Sequence, residues 1–436
     1  MAADVVVMPQ PYLSQRRCTG HPPARATGAS LHPMEAGASS GRIATAMRRH
    51  PVMGAAFGVW LATLLGFLAI GAVLPVLPRY VKGPVGGGDV AVGIVIGAFA
   101  ISAVVGRPIA GRLADLYGRK PVVLAGLLLM SVSGALLLVP GGVAWLVFAR
   151  LVVGVGDGWL FTAAVTWVVD LAPADRRGQT IGLFGIAVWG GLSVGSVLGQ
   201  AVYDAASYDA VWLLAAGLPL AGAALAVRLK DPHVKVPAAS QPGFSLPREA
   251  VAPGIALALA NIGFGTMAGF VVLHLDARDV AHSATVFTAF AAAVVLTRLF
   301  AGRAPDRFGA APTAAVAFAA EAIGMAILAL AESFGVALAG ALVMGAGFSL
   351  LFPALALAVV SRVDERQRGV ALGAFTAFFD IGVGVGGPLA GAVAAASGYP
   401  EAFWMGAACA AVGGVIAARS ARGAGTVQAP PAATPG

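Results

Sequence analysis

From residue 52 onward the chain alternates between long apolar runs and short polar interruptions. Each run is close to the ~20 residues that carry an α-helix across a bilayer. Twelve can be marked, at 52–77, 90–110, 121–139, 143–169, 178–202, 210–229, 252–275, 283–301, 313–331, 335–360, 369–396 and 402–418. A strand-built barrel would need alternating segments of about ten residues instead. The pattern therefore predicts an all-α membrane protein with twelve transmembrane helices.

The pattern also repeats. Residues 107–120 read RPIAGRLADLYGRK and residues 298–309 read RLFAGRAPDRFG, with Arg107, Ala110, Gly111, Arg112, Asp115 and Gly118 returning 191 residues later. The same offset pairs Gly154 with Gly345, Gly156 with Gly347, Phe161 with Phe352, Gly182 with Gly373, Gly191 with Gly382 and Gly195 with Gly386. Two pseudo-symmetric six-helix bundles follow, and paired halves in a membrane protein point to a transporter that moves one half against the other.

Composition sharpens this. Residues are 58% hydrophobic and 11% charged, against about 25% charged in soluble domains. The net charge of +8 lies in short loops between apolar runs, which is membrane topology rather than a nucleic-acid surface. One set of loops carries Arg112, Arg119, Lys120, Arg176, Arg177, Arg228, Lys230, Lys235, Arg248, Arg303, Arg307, Arg362, Arg366 and Arg368; the opposite set carries Arg79, Lys82 and Arg278. By the positive-inside rule the first side is cytoplasmic, together with both termini. The expected organisation is a disordered cytoplasmic tail at 1–50, an N-terminal bundle at 51–229, a cytoplasmic linker at 230–250, a C-terminal bundle at 251–420 and a disordered tail at 421–436. The first tail is also open to reading as a transit peptide, or as a start codon called early with Met34 or Met47 as the true start. Cys18 and Cys409 are too few and too far apart for a disulfide framework or a Cys-rich metal site.

Charges inside spans cost about 2.5–3.5 kcal/mol each on insertion scales. Arg150, Asp157, Glu321 and Asp380 lie within spans, with Arg107 and Arg298 near span ends. Arg107 and Arg298 match through the repeat and so read as architectural. The other four have Ala341, Phe348, Met130 and Trp189 as counterparts, so they are unique to one half. Asp157 lies near the middle of its span, with Arg150 two turns away on the same face. Their axial separation of about 10 Å suits a water or ligand between them. The expectation is that Asp157 carries a coupling proton and that Arg150 tunes it or contacts anionic substrate groups. Asp380 precedes a Gly-rich run, where it lines the substrate path or seals a helix pair. Glu321 is expected to have a structural partner.

Two six-helix halves with GRLADLYGRK at 111–120 resemble the major facilitator superfamily, and residues 302–309 are a weaker copy of the same loop signature. Arg150, Gly154 and Gly156 are similar to the family's Arg–Gly motif in the fourth helix. Gly191, Gly195 and Gly199 in the fifth helix are similar to its antiporter motif, with Ser196 and Gln200 departing from it. The later text is similar to bacterial drug and arabinose-efflux permeases. The resemblance implies a cytoplasmic gate in which Asp115 braces the start of the eleventh helix with Arg119 as ionic partner. By pseudo-symmetry Asp306 braces the fifth. Gly111, Gly118, Lys120 and Arg303 belong to the same gate loops. It also implies a cavity lined by helices 1, 4, 7 and 10, which here offer Trp60, Phe67, Trp159, Phe161, Asn261, Phe264, Met267, Phe270, Phe348 and Phe352. Mostly aromatic lining suits an amphipathic organic molecule.

The function expected is proton-coupled efflux of a small amphipathic organic compound by alternating access, from a bacterial inner membrane, by a monomer in the lipid bilayer. An importer or facilitator of a sugar-like metabolite or organic acid is the alternative. No GxxxxGK[ST] loop occurs, no cofactor or nucleic-acid partner is expected, and no His lies deep inside a span, which argues against a membrane enzyme. A non-transporting receptor would call for a folded extramembrane domain, which the sequence does not provide.

Overall fold

The computed structural model describes residues 51–172, 177–231, 246–364 and 368–424. The tail at 1–50 and most of the linker and C-terminal tail lie outside these residues, as do Cys18, His21, His32, His50 and His233. Twelve described helices are long and apolar enough to cross a membrane. They are α1 (Pro51–Val73), α2 (Asp89–Tyr117), α3 (Arg119–Leu137), α4 (Val143–Leu171), α5 (Arg177–Ala205), α6 (Tyr208–Val227), α7 (Arg248–Asp276), α8 (Ser283–Ala301), α9 (Ala310–Ala329), α10 (Phe334–Val360), α11 (Arg368–Ser397) and α12 (Tyr399–Ala424). A short helix, Leu77–Lys82, extends α1, and another, Ala304–Phe308, precedes α9. A helix satisfies its backbone internally, which is what hydrocarbon demands. Large apolar side chains such as Phe300, Val316 and Leu213 face outward.

The sequence repeat is a repeat of contacts. A Cβ added at Gly154 would strike Phe99 O, and one at Gly345 would lie 2.5 Å from Phe290 O, its counterpart 191 residues on. Gly156 and Gly347 approach Gly126 O and Ala317 O in the same way, at 2.8 and 2.5 Å. Gly222 and Gly413 approach Ala62 O and Ala256 O, each at 3.1 Å. Ala256 is 194 residues beyond Ala62, not 191, so α1 and α7 carry a shifted register. The three extra residues of the first half lie in the opening turns of α2, because the starts of α2 and α8, Asp89 and Ser283, are still 194 apart while Phe99 and Phe290 are 191 apart. Gly118 (φ 102°) and Gly309 (φ 92°) make the same turn in the two loop signatures, a backbone conformation that favours glycine.

The halves meet along two seams, α2 against α11 and α5 against α8. Packing at the first is tight toward the end of α2 that holds Asp89. A Cβ at Gly387 would lie 2.5 Å from Gly93 O, one at Gly97 2.6 Å from Gly384 O, and one at Gly391 2.5 Å from Asp89 O. Polar locks close the same face. Arg79 holds both oxygens of Asp276 at 2.7 and 2.9 Å, and also Gln200 (3.1 Å) and Ser283 (2.9 Å). Asp89 accepts from Lys82 and from the Tyr399 hydroxyl, each at 2.9 Å. At the opposite face, Gly111, Gly182 and Gly373 have nothing within 4 Å of an added Cβ. Close approach therefore does not explain Gly111 in this conformer, where an added Cβ would meet open space.

Adding a side chain to the tight seam should overpack it by about 1–3 kcal/mol. We expect Gly93→Leu and Gly387→Leu to lower the thermal unfolding midpoint in detergent. Gly111→Ala should leave it unchanged or raise it; equal destabilisation by all three would contradict the packing described.

Candidate functional site

Three charges meet where α2, α4 and α11 converge. Arg107 of α2 donates through Nε to Asp380 Oδ2 at 2.6 Å and through Nη2 to Asp380 Oδ1 at 3.0 Å. The same Nη2 reaches Asp157 Oδ2 at 3.2 Å. Asp157 belongs to α4 in the first half and Asp380 to α11 in the second, so one guanidinium ties the two halves together. The acids are 5% and 2% exposed at their side chains, and Arg107 is 16% exposed, so water screens the cluster weakly. Local sequence makes room for it. A Cβ at Gly158 would come within 3.3 Å of Arg107 Cγ. The Phe161 ring lies 4.7 Å from the guanidinium carbon, on the same helix one turn past Asp157, where a cation–π contact adds to the hold. Arg107 Nη1 has no protein partner among the described residues.

This geometry corrects the expected pairing. Arg150 does not share a ligand gap with Asp157. Its Nε donates to Val95 O at 3.3 Å and its guanidinium lies 4.9 Å from the Phe99 ring centre. The reason is Gly154, which sits between the two charges on α4 and is covered by Phe99 O and Ser102 Oγ. The backbone of α2 crosses where the water or ligand was expected. Arg107, read from the repeat as architectural, is the partner of both acids. One signal could have found it: two unrepeated acids inside spans need a cation, and Arg107 is the basic residue on the helix between them.

The repeat-related junction is aromatic. Phe348 and Trp189 take the places of Asp157 and Asp380. Their rings are 5.3 Å apart, and Phe264 stacks on Phe348 at 5.4 Å and meets Trp189 edge-on at 5.7 Å. Of the other expected cavity residues, Phe67 meets Phe161 at 6.5 Å, Phe352 meets Phe375 at 5.3 Å, and Trp60 Nε1 donates to Leu183 O at 2.9 Å. Trp159 packs beside Gly106. Asn261, Met267 and Phe270 are fully buried and do not line an open cavity here, because α7 is enclosed by its neighbours through most of its length. Asn261 Nδ2 turns back onto Leu257 O at 2.8 Å.

In the gate loops, Arg119 pairs with Asp115 at 2.9 Å, reaches Asp170 at 3.2 Å and donates to Ala114 O at 2.7 Å. Lys120 does not cross between halves as a gate residue should. Its Nζ caps α6 through Val227 O (2.6 Å) and Leu229 O (2.9 Å), and its backbone N–H reaches Asp231. Arg303 and Asp306 are exposed, and neither forms an ion pair among the described residues. The side chains opening α5, residues 177–179, lie outside those residues. Glu321 also departs from expectation. It is fully buried beside Gly263, and neither carboxyl oxygen has a partner among the described residues. Gly263 and Met325 lie beside it, and the Cys409 thiol is near enough to feel its charge without hydrogen-bonding to it.

Removing one member of a buried ion cluster costs about 3–5 kcal/mol, whereas replacing the whole cluster can be neutral. Arg107→Met should therefore melt well below wild type, and Arg107→Met with Asp157→Asn and Asp380→Asn should recover most of the loss. Glu321→Met, which removes a partnerless acid, should melt no lower than wild type. A wild-type melting curve for Arg107→Met would contradict this.

The Major Facilitator Superfamily profile matches residues 59–280 and 254–434. An uncharacterised MFS-type transporter of Salmonella typhimurium is 33% identical over 381 residues, covering 85% of this chain and 97% of the relative. One from Burkholderia mallei is 35% identical over 359 residues, covering 80% and 88%. Among solved structures, a variant of the nucleoside transporter NupG gives a TM-score of 0.73 at 15% identity, and the human organic anion transporter MFSD10 gives 0.65 at 17%. Each alignment covers 84% of this chain and 99% of the other, and at these identities the likeness is one of fold. With its twelve membrane-spanning helices, its repeated halves and these relatives, the chain belongs to the Major Facilitator Superfamily, a family of membrane transporters rather than enzymes.

Proposed function

We propose that the protein is a proton-coupled exporter of a small amphipathic organic compound, and that the Asp157–Arg107–Asp380 cluster is where the proton acts. The observation that carries this is the sharing of one guanidinium by acids from both halves. Two carboxylates and one guanidinium leave the trio with one surplus negative charge, which a proton neutralises. The trio therefore has two arrangements: Arg107 held to Asp380 across the α2–α11 seam, or, where that bidentate contact is lost, held to Asp157 inside the first half. Coupling across close charge pairs is worth about 1.5–7 kcal/mol in measured interfaces, and about 5.5 kcal/mol moves a two-state equilibrium from 1:99 to 99:1. Loss of one such contact is thus large enough to let the seam part. The excess of Lys and Arg on the loops near Gly118 makes that face cytoplasmic under the positive-inside rule. The conformer sealed at the Asp89 face is then the inward-facing one, with substrate loading from the cytoplasm; the proton from outside binds in the outward-facing conformer, once the seam is open. The halves, 51–229 and 251–420, move as units in this reading, and one chain is sufficient.

An importer or facilitator on the same fold is the second reading, and one observation favours keeping it. Ser196 and Gln200 depart from the antiporter motif, and both are engaged at the seam: Ser196 Oγ lies 2.7 Å from Thr288 Oγ1 of the other half, and Gln200 accepts from Arg79, the residue that also reaches Asp276 and Ser283 of the other half. Direction separates the two. A growth screen against toxic compounds supplies a substrate, and everted vesicles with an imposed proton gradient then measure its uptake. The exporter reading predicts uphill uptake in wild type, a loss of tenfold or more in Asp157→Asn and Asp380→Asn, and retained downhill exchange. Uphill, pH-dependent transport by both variants would remove the assignment.

A further inference from the structure

Arg298 holds in the second half the place that Arg107 holds in the first. The local backbone agrees: Ser349 Oγ donates to Val294 O at 2.8 Å, and a Cβ at the equivalent Gly158 would meet the equivalent Ala103 O at 3.3 Å. The surroundings differ in one respect. Where Arg107 has Asp157 and Asp380, Arg298 has Phe348 and Trp189. Its Nη2 donates to Ser349 O at 3.2 Å, and no carboxylate pairs with it among the described residues. Its Nη1 faces α5 at Gly185, where an added Cβ would sit 2.7 Å away, so the absent side chain is what leaves the guanidinium its clearance. One turn nearer the start of α5, Gly182 has nothing within 4 Å of an added Cβ. The cation therefore borders open space. Ser349 and Gly185 in turn place it next to the Trp189–Phe348–Phe264 cluster.

A span cation without a counter-ion is costly, and an anionic ligand would supply the missing charge. We infer that Arg298, Trp189 and Phe348 form the anion subsite of the transport pathway, and that the transported compound is an organic anion. Its acid group takes on Arg298 the role that Asp157 and Asp380 take on Arg107. Trp189, Phe348 and Phe264 are packed on one another and buried (8%, 5% and 6% exposed), so its apolar or aromatic body meets that cluster at the edge adjoining Arg298. Arginine suits the first task because its fork presents paired N–H donors to a planar acid. The aromatic faces suit the second. This deepens the exporter reading by naming its substrate class, and it makes no use of the proton step.

The test is ligand-induced stabilisation of the purified full-length protein in detergent. The probes are benzoate, 2-naphthoate, indole-3-acetate and decanoate, each beside its neutral amide. At least one acid should raise the unfolding midpoint saturably while its amide does not. Arg298→Gln should raise the half-saturating concentration about tenfold or more, the scale of a lost charge-assisted hydrogen bond. Arg298→Lys should fall between, and Arg228→Gln, which removes an exposed cation at the end of α6, should respond like wild type. Should Arg298→Gln fail to fold, Gly185→Ala, which sets a methyl against Nη1, should show the same loss. Stabilisation by no acid in the panel, equal stabilisation by the amides, or unchanged binding in Arg298→Gln would overturn the inference. Acid binding without proton-driven transport would sink the exporter reading alone. Proton-driven transport of a neutral compound without acid binding would sink this inference alone.

Discussion

One guanidinium inside the membrane holds two carboxylates that belong to different halves of the protein. The rest of the architecture follows from the need to keep that cluster dry and shared. Arg107 reaches Asp380 only because α2 and α11 lie together along glycines, from Gly93 and Gly97 on one side to Gly384, Gly387 and Gly391 on the other. It reaches Asp157 only because Gly158 leaves its stem room on α4. Larger residues at these positions would push the helices apart and strand three charges in hydrocarbon, which is far costlier than the small loss of apolar contact that glycine entails.

The two seams are built from the same backbone and opposite chemistry. At α2–α11 the junction is ionic and directional. Beside α5–α8 the positions equivalent to the two acids are Trp189 of α5 and Phe348 of α10, a ring contact without a titratable group. Duplication thus supplies a matched pair of surfaces, and substitution has given each its own task. The Asp89 face adds a second layer of control, because Arg79 joins the extension of α1 to α5, α7 and α8 through Gln200, Asp276 and Ser283. That lock and the buried cluster act on the same closed arrangement from different depths.

Much of this was legible in the chain. Twelve apolar runs and a constant offset define twelve helices in two related halves, because hydrocarbon forces helices and close helix contacts preserve glycines. Unrepeated charges at 150, 157, 321 and 380 singled out the candidates, and the structure brings two of them, Asp157 and Asp380, together on Arg107. What sequence could not supply was which elements cross. Arg150 and Asp157 share a helix face, but the backbone of α2 lies over Gly154 between them. The 194-residue offset of α1 and α7 is hard to see because one glycine pair alone, Gly71 and Gly265, carries it in those two helices. The Arg79 lock draws on four separate elements, none carrying a motif. Glu321 looked like a residue needing a partner, and the helices around it present glycine, methionine and an unbonded cysteine thiol instead.

The claim that the Arg107–Asp380 contact holds the halves together can be measured as a distance. Spin labels at Val90 of α2 and Ala396 of α11, in a background with both native cysteines replaced, report the seam at the Asp89 face by pulsed electron resonance. The account predicts a single short distance at neutral pH for the otherwise native protein, and a second, longer population in Asp380→Asn under the same conditions. An Asp380→Asn distribution identical to the native one would contradict it.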